Sequence, residues 1–129
     1  MKDPAPLRIF KSLADEVRLR LLCLLLQGEW CVGDLVEVLE LPQPTVSRHL
    51  AHLRAAGLVR LRKVGLWRFY AQAEPKSDLH ARILDCLALC MTQRDRKRAA
   101  AVRASGGCCP ENVRDSKCKP DASACSTAS

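Results

Sequence analysis

Eight cysteines among 129 residues are the first groups in this chain that could do chemistry, and they are unevenly placed. Cys23 and Cys31 sit in apolar stretches, Cys86 and Cys90 stand four residues apart, and Cys108, Cys109, Cys118 and Cys125 all follow Gly107. Thiolates select soft ions, and an adjacent pair with a third thiol a short loop away can supply three sulfurs to one. A second group is "QPTVSRH", where Gln43, Thr45, Ser47, Arg48 and His49 offer donors and acceptors suited to base edges and phosphates. A third is the set of cations Arg60, Arg62, Lys63 and Arg68, arranged around Gly65.

The formal net charge of +7, from 21 Lys and Arg against 14 Asp and Glu, points to an anionic partner, either nucleic acid or an anionic membrane surface. The chain is short enough for one small domain with a modest core, which leaves little room for a deep active site. "MKDPAPLRIF" lacks the apolar stretch of a signal peptide and "LLCLLL" is too short to cross a bilayer, so the expectation is a cytoplasmic protein with no membrane partner. In a reducing compartment thiols serve as core filler, metal ligands or redox groups rather than as a disulfide framework. Ser47, His49, His52 and His80 assemble no triad, and there is no phosphate-cradling glycine loop, so an enzyme is not expected. A thiol-dependent arsenate reductase is the enzymatic alternative, and it would need an oxyanion loop after a strand.

These groups require elements that hold them. Residues 5–13 read as a first helix; Asp15 is placed to cap a second through "EVRLRLLCLLLQ", which Gly28 ends, with Cys23 in its core. "CVGDLVEVLE" sets Val32, Leu35, Val36 and Leu39 on one stripe of a third helix. In the next segment Pro44 suits a first turn, Val46, Leu50 and Leu53 point inward, and Gly57 closes the helix. Gln43, Thr45, Ser47, Arg48, His49 and His52 are left facing out, which is the pattern of a helix-turn-helix whose second helix enters a major groove. "LVRLRKVGLWRFYAQ" alternates with period two about Gly65 and predicts a β-hairpin wing. One long helix is predicted over residues 77–104, carrying Leu79, Ile83, Leu87 and Met91 on a stripe. The expected fold is mostly α with a β-hairpin wing, divided into a domain at 1–104 and a flexible Cys-rich tail at 105–129.

In this order "LADEVRLRLLCLL" and "GEWCVGDLVEVLELPQPTVSRHLAHLRAAGLVRLRKVGLWRFY" resemble the ArsR-type (ArsR/SmtB) family of bacterial metalloregulatory repressors. The resemblance spans roughly residues 5–100 and implies a winged helix-turn-helix homodimer, paired through its first and last helices, on palindromic double-stranded operator DNA. It also implies release of that DNA by a metal or metalloid inducer, with no cofactor required for DNA binding. Gln43, Thr45, Ser47, Arg48 and His49 would then meet bases and phosphates, and Arg60, Arg62, Lys63 and Arg68 the backbone; a solvated charged face is the plainer account of some of them.

The family's arsenic branch carries its thiols within "CVCDLC" at the start of the third helix. The matching "CVGDLV" keeps Cys31 but has Gly33 and Val36 at the other two positions, so that site cannot be assembled and Cys31 reads as vestigial or structural, with an auxiliary ligand as the alternative. The zinc-sensing relatives' Asp-x-His half is matched by Asp78 and His80, but Met91 and Arg94 stand where the second half would be. Asp78 then reads as a cap and His80 as exposed. Cys86 and Cys90 share a helix face and read as small apolar packing. Burial cannot explain Cys108 and Cys109 in a Gly-rich segment. With Cys118, or Cys125 as substitute, they form the candidate metal site for As(III) or Sb(III), and relatives lacking the third-helix motif support this by carrying a similar thiol set. A redox-switched disulfide and an incidental Cys-rich tail are the alternatives.

Overall fold

The structure is a computed structural model, and it describes residues 5–107. Cys108, Cys109, Cys118 and Cys125 lie outside the described residues. The elements run α1 (Ala5–Leu13), α2 (Glu16–Leu25), β1 (Trp30–Cys31), α3 (Val32–Leu39), α4 (Gln43–Ala55), β2 (Val59–Val64), β3 (Trp67–Gln72), α5 (Asp78–Leu87) and α6 (Gln93–Ala104). The arrangement is mostly helical with a small antiparallel sheet, as the periodicities predict.

Asp15 caps α2 as expected: its carboxylate accepts the Val17 and Arg18 amides at 2.9 and 3.1 Å. Those bonds hold the Asp15 carboxyl below its ordinary range, the Arg18 amide contributing most. Leu21, Leu22, Leu24 and Leu25 are buried almost completely and form the centre against which α1, α4 and β3 pack. The inward face of α4 is the predicted one, with Val46, Leu50 and Leu53 all fully buried. Gly57, at φ +80°, lets the chain leave α4 through a Schellman turn: Leu58 N–H donates to Leu53 O and Gly57 N–H to Arg54 O, both at 3.0 Å.

Three features differ from the sequence reading. The pair Trp30–Cys31 forms a short strand, with Trp30 opposite Tyr70 and Cys31 opposite Phe69, giving a sheet of order β1-β3-β2. Two residues are too few for alternation to reveal. On α3 it is Val38 rather than Val36 that is fully buried; Val36 is half-buried at the edge of the core.

The predicted long last helix is two. α5 stops at Leu87 and α6 starts after Thr92, whose hydroxyl accepts the Asp95 amide at 3.1 Å and so supplies a new N-cap. The break turns α6 back onto α3 instead of letting it continue past the core. As a result Leu84 and Leu87 are buried, Leu79 is exposed, Ile83 is half-buried, and Met91 lies in the connection. Three further expectations fail here. His80 is 3% exposed, its Nδ1 accepting the Lys76 amide at 3.2 Å, so it lies on the buried side of α5; the capping hydroxyl belongs to Ser77, with Asp78 in the first turn. Burial holds the His80 imidazole below its ordinary pKa. Cys86 and Cys90 are exposed rather than packed.

Candidate nucleic-acid interface

The turn into α4 is tight: Glu40 takes the left-handed conformation at φ 56°, and Pro42 precedes the helix with its carbonyl accepting the Thr45 and Val46 amides at 3.1 Å. Because one stripe of α4 is consumed by the core, the opposite stripe must face outward. Gln43 and Arg48 are exposed there, and Thr45 and Ser47 are half-buried beside them. Arg48 makes no ion pair among the described residues.

His49 behaves differently from its neighbours. Its side chain is 15% exposed, with Nδ1 3.5 Å from Arg18 Nη1 and 4.0 Å from Asp15 Oδ1. It pins α4 to the start of α2, which corrects the expectation that it faces outward with the rest.

The wing is the predicted hairpin, registered from Val59 opposite Gln72 to Val64 opposite Trp67. Gly65 at φ +60° opens the two-residue turn, a conformation suited to glycine, and Leu66 at the tip is 99% exposed. Lys63 and Arg68 are exposed and lie directly opposite one another across the ladder. Like charges in that position repel, and an anion between them removes the repulsion. Arg60 is exposed and reaches the Gln72 carbonyl at 3.3 Å. Arg62, expected on the phosphate-facing set, turns the other way: it holds buried Glu29 through two bonds at 3.0 and 2.7 Å and lies over the Phe69 ring at 4.5 Å. A buried carboxylate needs a partner more than a surface cation needs an anion. A cleft of about 310 Å³ joins the two parts of the surface, bringing Gln43 and Ser47 of α4 to Arg68 and Trp67 of the wing beside Gly33 of α3.

A second cleft, of about 290 Å³, lies between α2 and the start of α6 and collects sulfur. Cys23, Cys90 and Met91 line it. The Cys23 thiol and the Cys90 amide both donate to Leu87 O, at 3.4 and 2.9 Å, so the two cysteines converge on one carbonyl. Burial pushes the Cys23 thiol up to about 11, with Cys90 adding to the effect. On the cleft's far wall Asp95 takes two bonds of 2.8 Å from Arg20, which holds its carboxyl below the ordinary range. Nothing in the spacing of Cys23 and Cys90 announces this meeting, since the loop after α5 makes it. Among the described residues no group of three or more His, Cys, Asp or Glu is placed to hold a metal ion. Cys31 is buried beside Phe69, in keeping with a structural role. No described helix is long and apolar enough to cross a membrane.

Comparison with known proteins agrees with this geometry. The family described as bacterial regulatory protein, arsR family, matches residues 15–60, from the cap of α2 to the first wing strand. The arsenical resistance operon repressor of Escherichia coli K12 is 46% identical over 81 residues, covering 62% of this chain and 69% of that protein. The arsenic resistance transcriptional regulator ArsR1 of Pseudomonas putida is 49% identical over 63 residues, 48% of this chain and 49% of its own length. Among solved structures, reduced HlyU from Vibrio cholerae aligns with a TM-score of 0.60 at 37% identity over 69% of this chain and 90% of its own. The repressor BigR from Xylella fastidiosa gives 0.57 at 34%, over 66% and 81%. These relatives are regulators of transcription, not enzymes, and their winged-helix scaffold is the one described above. With the turn, the outward face of α4 and the wing all in place, the chain belongs to the arsR family of bacterial regulatory proteins.

Proposed function

We propose that this protein is a repressor that binds double-stranded operator DNA as a homodimer and lets go when As(III) or Sb(III) is taken up by its thiolates. The observation that carries the DNA reading is the division of α4, whose apolar stripe is sealed in the core while Gln43, Thr45, Ser47 and Arg48 line the other side. Lys63 and Arg68, facing each other across the wing, suit a phosphate between them, with Arg60 alongside. Arg62 and His49 support the surface from behind. For the dimer, Leu7 and Phe10 of α1 and Leu79 of α5 are exposed on helices that touch each other, and a second copy would cover them. A repressor of this kind works in the cytoplasm, beside the DNA.

The inducer reading rests on relatives whose names give arsenic resistance and on the chemistry of the chain's own thiols. The third-helix arrangement does not fit: Cys31 is buried, and Gly33 and Val36 carry no sulfur. Cys108, Cys109 and Cys118, in the segment from residue 105 onward, are then the ligand set. Fluorescence anisotropy on a promoter duplex, with arsenite added, tests this. Arsenite is expected to release the parent and not Cys108→Ser or Cys118→Ser; equal release from all three would exclude the site.

A second reading has its own support. Cys23 and Cys90 line the same cleft, and the aligned structures include HlyU in a form described as reduced. In this version an oxidant such as peroxide takes two electrons from the pair, a disulfide forms, and the two thiol protons leave in water. Peroxide-driven release that vanishes in Cys90→Ser, with arsenite inert, would select it.

A further inference from the structure

The first half of α6 is held on two sides. Toward α2, Asp95 is fixed by Arg20 through paired bonds of 2.8 Å, and this pair forms one wall of the sulfur-lined cleft. Toward the helix-turn-helix, Arg98 reaches the end of α3. Its Nε donates to Val38 O at 2.7 Å, its Nη2 to Glu37 O at 2.8 Å, and its Nη1 lies 3.5 Å from Glu40. Arg94 adds a bond of 3.1 Å to the same Glu40 carboxylate.

The carbonyls of Glu37 and Val38 belong to the last turn of α3, where intrahelical donors run out and the helix dipole is negative. A planar guanidinium satisfies two such groups at once and favours their charge; a lysine ammonium lacks that fork. Glu40 is the left-handed residue that sets the turn between α3 and α4. Arg98 therefore grips the hinge of the DNA-reading unit at the end of α3.

We infer that Arg98 is a positioning residue for DNA recognition: it fixes the set of α4 through the α3 end and Glu40, so that a shift of α6 at the cleft reaches the DNA-binding surface. This rests on the repressor reading for its consequence, but the clamp itself can be tested without DNA. The full-length parent, Arg98→Ala and Arg98→Lys are compared by operator-duplex affinity over a salt series, by amide hydrogen exchange, and by thermal melting.

Arg98→Ala is expected to bind the duplex at least tenfold more weakly with the parent's salt dependence. Exchange should rise at least tenfold within residues 37–46 and stay unchanged in α2, and Arg98→Lys should recover only part of both. A salt slope lower by about one would make Arg98 a phosphate contact and overturn the inference. So would affinity within twofold of the parent, or exchange in 37–46 equal to the parent's. If the parent itself ignores the duplex, the repressor reading fails, and exchange across 37–46 alone then decides for or against the clamp.

Discussion

Two helices of this protein invite the same description and do opposite things. α4 and α6 are both polar in composition, both follow a proline or threonine cap position, and both carry several basic residues. By charge density α6, with "RDRKR", is the stronger candidate to meet an anion. Yet α6 spends most of its charges on the protein, with Arg96 and Lys97 left exposed: Asp95 on Arg20, Arg94 on Glu40, Arg98 on the end of α3, and Arg103 over the Trp30 ring at 3.9 Å. α4 has fewer cations and leaves Arg48 unpaired among the described residues. A basic stretch in sequence thus locates charge without saying who neutralises it; packing decides that.

Breaking the comparison on the α6 side gives the largest expected effect. Asp95→Ala leaves Arg20 partly buried without its anion, and breaking such a pair costs about 3 kcal/mol, less than for a fully enclosed one because Arg20 still reaches water. Urea denaturation should show that loss, and a variant as stable as the parent would remove the inward reading of α6. The pH dependence has a defined sign. The Asp95 and Asp15 carboxyls are held below their ordinary values, so their contribution is intact above about pH 4, the unfolded value, and is lost as pH falls through the lowered folded values. Stability measured from pH 7 down to 3 should therefore decline less steeply in Asp95→Asn than in the parent.

On the α4 side, Arg48→Ala is expected to cost about 1–3 kcal/mol in operator affinity while leaving stability within roughly 0.5 kcal/mol. Normal operator binding by that variant would sink the recognition-helix assignment. The wing sharpens the contrast with smaller effects. Arg68→Ala should lower the salt slope by about one and leave the fold untouched, whereas Arg62→Ala should spare the slope and weaken the fold by stranding Glu29. Identical behaviour of the two would erase the distinction drawn between them.

Where periodicity runs over several turns, the elements can be read in advance. The inward stripe of α4, the Asp15 cap, the Gly57 exit and the hairpin about Gly65 each follow from local rules acting on a few residues. The rest depended on partners distant in sequence. Thr92 is the exception, since Asp95 three residues on marks it locally as a cap, but a stripe running through Met91 conceals the break. Arg62 and His49 have the right types for DNA contact, but Glu29, Asp15 and Arg18 claim them. The sulfur-lined cleft was illegible for the same reason, because only the chain's return after α5 brings Cys90 to the cleft that Cys23 lines.

The left-handed Glu40 has a cost that glycine would not incur. A non-glycine residue at φ 56° carries backbone strain on the order of 1 kcal/mol. Glu40→Gly would relieve that strain and at the same stroke remove the carboxylate that Arg94 and Arg98 share. The turn is thus a place where thermal robustness and communication between helices trade against each other: a sturdier protein and a less responsive one are reached by the same substitution.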